Sequence, residues 1–365
     1  SQKDFLLGYA NSQTQMALSN NVLTIGFARR AARYKRAILI FNDLERLVVI
    51  GKGKIQIIFA GKAHPADDDG KSIIYNLIQN AKKLFGTIKV VYLENYNLWL
   101  GRIITSGVDV WLNTPRRPNE ASGTSGMKAA LNGIPNLSIL DGWWAEACTC
   151  DVGWSIGDGK EHDADLSWDA TETEQLYQRL ENEIIPLFYN RVDKGLPREW
   201  LTLIRNSMIT LAPQFSSHRM VQEYVEQFYF PAATDYEKRQ AKHGQLARQL
   251  HDWYNALTLH WDQIHFGNVD THKTDNGWSF QVQVYLGEIL PEQVSVELYA
   301  EDIQGESPLV IDCSCKEKIT GAIHGYCYQA EIQSTRPSTD FIPRIIPHHA
   351  EAQIPAEASL IVWQR

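Results

Sequence analysis

The feature that most limits this chain is the rhythm of its first 150 residues, where short apolar runs alternate with segments of helical spacing. Val22-Leu23-Thr24-Ile25-Gly26-Phe27 is a β-branched run, and Ala37 to Phe41 follows it at helical density. Ile55-Gln56-Ile57-Ile58-Phe59-Ala60 is a second strand, closed by Gly61. Ile73, Ile74, Leu77, Ile78 and Ala81 recur at helical spacing, with Gly86 where a helix stop is expected. Lys89 to Leu93, Val108 to Leu112 and Pro135 to Leu140 read as three further strands. Near-continuous apolar strands separated by helices predict a parallel sheet covered on both faces. Ligands of such sheets sit beyond the carboxyl ends of the strands, so the loops beginning at Gly26, Ala60, Leu93, Leu112 and Leu140 matter most.

From Thr171 to Phe230 the spacing is helical throughout. Leu176, Leu180, Ile184 and Leu187 make one face; Trp200, Leu201, Ile204, Met208 and Leu211 make another, ended by Pro213. Ser216 or Ser217 caps a third helix, and the polar stretch Asp235 to His251 reads as a helical link. Then the period changes. Phe280 to Tyr285 and Val294 to Tyr299 alternate strictly, Gly-Glu and Gln-Gly-Glu turns separate such runs, and Leu360 to Trp363 closes the chain. That is the signature of an all-β sandwich.

A length of 365 residues fits two domains, and 44% hydrophobic with 21% charged residues is a globular balance. The net charge of -8 argues against a nucleic-acid surface. No run reaches the roughly 18 apolar residues of a membrane span, and five cysteines make no disulfide framework, so the cytosol is the default compartment. The chain opens Ser1-Gln2-Lys3, with no strand in its first twenty residues. The expected division is residues 1–20 as a linker from a missing N-terminal domain, 21–232 as the sheet domain, 233–265 as a helical linker and 266–365 as the sandwich.

Two segments stand out chemically. Asn119 to Gly133 places Gly123 and Gly126 after a strand and its loop, leading into an alanine-rich helix that contains Lys128. Such a turn brings backbone N–H groups to a phosphate at the positive helix end. It is not a Walker loop, because no lysine directly follows the second glycine. A plain glycine-rich helix start with a surface lysine is the competing interpretation. The second segment, Gly26 to Arg36, packs five cations into eight residues directly after a strand. Most such clusters are solvated helix faces, yet this one lies on the same sheet edge as the glycine turn, and arginine with lysine suits a phosphate dianion.

Glu120-Ala121-Ser122-Gly123-Thr124-Ser125-Gly126-Met127-Lys128 resembles the cofactor motif of α-glucan phosphorylases of the bacterial and archaeal type. The resemblance extends over most of the first 230 residues, to Phe59 to Pro65 and Leu93 to Tyr96, and to the terminal sandwich. It implies the C-terminal half of a two-Rossmann, GT-B-type enzyme using pyridoxal 5'-phosphate. Lys128 would form the Schiff base, and Thr124, Ser125 and Gly126 would bind the cofactor phosphate, with Arg29 beside it and Tyr96 near the ring. Arg30 and Lys35 would hold inorganic phosphate. Glu120 would accept hydrogen bonds from glucose hydroxyls, assisted by backbone at Ala121, Ser122 and Gly123. The implied reaction is phosphorolysis of α-1,4-glucan to α-glucose 1-phosphate with retention. Developing positive charge at the sugar would be met by adjacent phosphate anions. The groove and phosphate-facing contacts of the N-terminal domain have no counterpart here, so the chain alone is expected to be inactive or nearly so; a second copy of the chain is left open as a partner.

Two other classes stay open. Sugar-nucleotide glycosyltransferases share the architecture, but many carry a glutamate eight residues after the first, where this chain has Lys128. The other is a non-catalytic carbohydrate-binding or partner module that keeps the fold. Among lesser features, His64 reads as a residue fixing its own turn. Asp67-Asp68-Asp69 reads as a helix start rather than a metal site, the Cys-X-Cys pairs as structural thiols, and Trp143-Trp144 as packing.

Overall fold

Six parallel strands form the first sheet of the computed structural model, which describes residues 1–162, 166–192, 195–302 and 308–365. They are β1 (Leu23–Ala28), β2 (Ile55–Ala60), β3 (Lys89–Leu93), β4 (Val110–Asn113), β5 (Asn136–Ile139) and β6 (Gly153–Ile156), in the order β3-β2-β1-β4-β5-β6. This is the Rossmann-like order, with the direction of winding reversed between β1 and β4. Successive side chains serve opposite faces: Ile57, Val90 and Val110 join one apolar cluster, while Ile58, Val91 and Trp111 join another. Burial on both faces explains the near-continuous apolar runs.

Helices α1 (Gln2–Thr14), α2 (Leu44–Gly51), α3 (Asp68–Lys83), α4 (Leu98–Gly107) and α5 (Thr124–Leu131) accompany the sheet. Residues 1–20, expected as a linker, contain α1. Ser1 and Asp4 close a capping box at its start, and Leu6, Leu7 and Ala10 are buried in the cluster that holds Ile58 and Trp111. Only a 3₁₀ turn, Leu39–Phe41, forms where Ala37 to Phe41 has helical density; the regular helix begins after Asp43, whose side chain accepts from the Arg46 amide. β6 is absent from the sequence-based expectation because Gly-Trp-Ser-Ile, with serine between its two large apolar residues and glycine before them, makes no apolar run.

Helices Leu166–Arg179, Ile185–Tyr189 and Arg198–Gln214 follow, interrupted between Asn190, which closes one, and Pro197, which opens the next. Pro213 does not end its helix as expected. It sits in the last turn, where its missing N–H costs the bond to the Ile209 carbonyl, yet the helix runs one residue further, to Gln214. Ser216 caps Ser217–Tyr224 by accepting from the Arg219 amide at 3.2 Å.

The chain divides into two units, Ser1–Glu223 and Tyr224–Arg365. In the second, Phe230–His260 is helical apart from a left-handed turn at Lys242, His243 and Gly244. Its strands are β7 (His265–Thr274), β8 (Gly277–Tyr285), β9 (Val294–Ala300), β10 (Leu309–Asp312), β11 (Ser314–Lys318), β12 (Gly325–Gln333), β13 (Ile342–Pro347) and β14 (Val362–Trp363). They make two four-stranded antiparallel sheets, β10-β9-β13-β14 and β11-β12-β8-β7. Val282 and Tyr328 of one sheet and Val296 and Ile345 of the other enclose a common core. The turn expected at Gln304-Gly305-Glu306 lies outside the described residues.

An ion pair closes this second unit: Arg239 donates to Glu357 through both terminal nitrogens, at 2.9 Å for Nη2, and to the Glu351 carbonyl at 2.8 Å. The hydrogen bonds from Arg239 hold the Glu357 carboxyl below its ordinary value of 4.5. A depressed folded value contributes stability above the unfolded value, lost as the pH falls through the folded one. The thermal midpoint of this unit is therefore expected to drop as the pH goes below about 4.5. Glu357→Gln should flatten that part of the profile; equal slopes in the two proteins would contradict the assignment.

Candidate functional site

The site lies where the sheet reverses direction, at the carboxyl ends of β1 and β4. Arg29 is the first residue after β1, and its amide donates to the Ala60 carbonyl at 3.1 Å, which fixes the chain as it leaves the sheet. Its guanidinium is buried and donates from Nη1 to Glu120 Oε2 at 3.0 Å and from Nη2 to Ser125 Oγ at 3.2 Å. Lys35 donates its Nζ to the same Glu120 oxygen and lies over the Tyr34 ring, 4.5 Å from its centre. Two cations thus converge on one buried carboxylate.

Burial lowers the Arg29 guanidinium from its ordinary range, and the Glu120 charge and hydrogen bond oppose that effect. The half-buried Tyr96 hydroxyl is pushed up by burial, with the nearby positive charge of Arg29 pulling the other way. Tyr96, Arg29, Ser125, Glu120 and Lys35 therefore form one neighbourhood, drawn from the loops after β3, β1 and β4 and from the first turn of α5.

The α5 end is built by its glycines. Gly123 occupies the cap position with φ 81, a left-handed conformation that suits glycine, and no side chain caps the helix. The first-turn amides of Thr124, Ser125 and Gly126 are consequently free of a side-chain cap. Gly126 is required by packing: a Cβ there would lie 2.7 Å from both Asn136 Oδ1 and Trp143 Nε1. Lys128 is exposed and makes no side-chain hydrogen bond or ion pair among the described residues. It stands four residues after Thr124, on the same helix face.

Sequence reasoning missed what holds Glu120 in place. Asp141, at the end of β5, accepts from the Glu120 amide and from the Gly142 amide, each at 2.9 Å. Burial raises the Asp141 carboxyl, with those two hydrogen bonds acting against it. Ser122 is fixed by its carbonyl, which accepts from the Trp143 amide at 2.9 Å. Trp143 and Trp144 are themselves buried against Phe215 and Leu211, so they pack as expected.

The five-cation segment divides three ways. Arg29 and Lys35 enter the site, Arg30 and Arg33 are exposed, and Arg36 turns into the scaffold. Arg36 donates from Nε to the Thr114 carbonyl at 3.1 Å and from Nη2 to the Pro115 carbonyl at 2.8 Å. Its Nη1 pairs with Asp169 and Glu172, each at 2.6 Å. Thr114 Oγ1 donates back to the Lys35 and Arg36 carbonyls, and the Arg116 amide to Tyr34. These bonds lock the loop after β1 to the loop after β4, which sets Lys35 against Glu120.

The lesser features resolve locally. His64 Nδ1 accepts from the Ala66 amide at 3.1 Å, fixing its own turn. Asp67 caps α3 by accepting from the Gly70 amide at 2.9 Å, so the acidic run is a helix start. Cys148, Cys150, Cys313, Cys315 and Cys327 are free thiols. Among the described residues no group of three or more His, Cys, Asp and Glu is placed to hold a metal ion, and no helix is long and apolar enough to cross a membrane.

Residues 1–256 match the family model for carbohydrate phosphorylases. The chain belongs to the carbohydrate phosphorylase family. Residues 261–365 match the glycogen phosphorylase C-terminal domain. The chain is 37% identical to the maltodextrin phosphorylase of Thermococcus litoralis over 357 residues, 95% of this chain and 42% of that protein. It is 40% identical to the glycogen phosphorylase of Mycobacterium tuberculosis (strain H37Rv) over 258 residues, 70% of this chain and 30% of the relative. With the glycogen phosphorylase of Aquifex aeolicus the identity is 45% over 215 residues, 58% and 31% of the two chains. This phosphorylase-family chain thus spans less than half the length of these relatives.

Proposed function

We propose that this chain is the cofactor- and phosphate-binding half of a pyridoxal-phosphate-dependent α-1,4-glucan phosphorylase of GT-B architecture. The observation that carries the reading is the convergence of Arg29, Lys35, Ser125 and Glu120 beside the uncapped start of α5, with exposed Lys128 one turn along. The same residues suit the cofactor. Uncapped amides at Thr124, Ser125 and Gly126 form an anion cradle at a helix N-terminus, Arg29 adds a cation at Ser125, and Lys128 offers an unpaired amine as the covalent anchor. When bound, the cofactor supplies a phosphate that exchanges a proton with the substrate phosphate.

The chain's own groups do the rest. Exposed Arg30 and buried Lys35 hold inorganic phosphate, one as a fork and the other as a point charge. Glu120 orients glucose through its hydroxyls, with backbone at Ala121, Ser122 and Gly123 assisting, and Asp141 keeps the Glu120 backbone fixed. Holding two phosphate anions beside the anomeric carbon stabilises positive charge as the glycosidic bond breaks, and the product is α-glucose 1-phosphate with retained configuration. The glucan groove is assigned to an N-terminal domain, so the isolated chain has little or no turnover. Lys128, where nucleotide-sugar enzymes often place a carboxylate, favours this reading over a sugar-nucleotide transferase.

The test is glucose 1-phosphate formation from maltodextrin and inorganic phosphate. The full-length protein should form it and the isolated chain should not. Arg30→Ala in the full-length protein should raise the phosphate KM by about tenfold or more, the cost of one charge-assisted contact. No product from the full-length protein would overturn phosphorolysis, and normal turnover by the isolated chain would overturn the half-site assignment.

A further inference from the structure

Glu120 is bound by the same cations that a phosphate anion needs. Its Oε2 accepts from Arg29 Nη1 at 3.0 Å and from Lys35 Nζ, and all three side chains are buried or nearly so. The carboxylate cannot drift away with its loop, because Asp141 holds the Glu120 amide and the Trp143 amide holds Ser122. Nor can Lys35 retreat, since its backbone is tied through Thr114 and Arg36. A second anion entering beside Lys35 must therefore share or take these donors from Glu120, over a distance where charges interact strongly.

We propose that Glu120 is an internal competitor for the phosphate cations, so that anion binding releases its carboxylate to accept hydrogen bonds from the sugar. This rests on the phosphorylase reading of the site. Its consequence is coupled binding: phosphate at Lys35 raises affinity for a hydroxyl-bearing ligand at Glu120, and by linkage the sugar raises affinity for phosphate. It also gives Glu120 two opposed effects, lowering intrinsic phosphate affinity while supplying sugar recognition.

The experiment is titration of the full-length holoprotein with inorganic phosphate by calorimetry, in wild type, Glu120→Gln and Glu120→Asp. Close charge pairs couple strongly enough that Glu120→Gln should bind phosphate about tenfold more tightly. Glu120→Asp, which keeps the charge but withdraws it by one methylene, should show a smaller gain and guards against misfolding of the uncharged variant. Lys35→Met should cancel the gain. In wild type, phosphate should tighten maltodextrin binding, and in Glu120→Gln that coupling should vanish. Unchanged or weaker phosphate binding in both Glu120 variants, with wild type binding normally, would overturn the competition while leaving the phosphorylase reading intact. Absence of phosphate binding in every protein would overturn the anion site itself.

Discussion

Lys128→Ala in the full-length protein is expected to abolish covalent cofactor attachment and to lower phosphorolysis at least about a hundredfold, because an unanchored ring loses the alignment of its phosphate with the substrate. The fold should be indifferent. Lys128 is exposed on α5, whose buried residues are Gly126, Ala129 and Ala130, and alanine is the best helix former. A stability change within about 0.5 kcal/mol is expected, as for surface substitutions generally. Cofactor absorbance after dialysis, glucose 1-phosphate formation and a thermal melt would be measured together. A variant that keeps its bound cofactor and near-normal turnover would contradict the role; a large loss of stability would mean that Lys128 is structural.

Arg36→Met should do the reverse, damaging the fold before the chemistry. Arg36 is buried and spends its guanidinium on two carbonyls and two carboxylates. Removing it leaves the buried Glu172 carboxylate without its cation, Asp169 with Arg116 alone, and the Thr114 and Pro115 carbonyls short of a donor. Breaking a buried pair from one side typically costs about 3–5 kcal/mol. Arg36→Lys should recover only part of that, since a point charge cannot meet four acceptors spread around a planar fork. Denaturant unfolding would supply the energy, and hydrogen exchange at the Arg116 amide, which is bonded to Tyr34, would report the local loosening. A loss below about 1 kcal/mol, the level of an exposed pair, would contradict the scaffold role.

What the sequence revealed and what it hid follow from range. β2 and β3 are legible to the residue because Ile57-Ile58 and Val90-Val91 are consecutive apolar residues buried on opposite faces of the sheet. In the sandwich, β8 and β9 are legible because one face is wet and the period is two, whereas β11, exposed along its whole length, shows no such period. The helix carrying Leu6 and Leu7 was harder, since its apolar residues are few and acquire meaning only against the sheet. At the site, the motif from Glu120 to Lys128 and the basic run after β1 are local and could be read as such. Their mutual arrangement could not. The Arg29–Glu120 bond spans 91 positions and the Arg36–Asp169 bond 133, and no spacing rule connects them. For the same reason nothing in the sequence marks Asp141, which secures the Glu120 amide from 21 positions away. Nor does anything local in the basic run mark Arg36 as the member that turns into the scaffold.

The most direct test of the central claim is to treat the purified chain with pyridoxal phosphate, reduce it with borohydride and map the modified peptide. Stable labelling at Lys128 alone is the predicted result, weakened when Arg29 is replaced. Labelling spread over other lysines, or none at Lys128, would contradict the cofactor site.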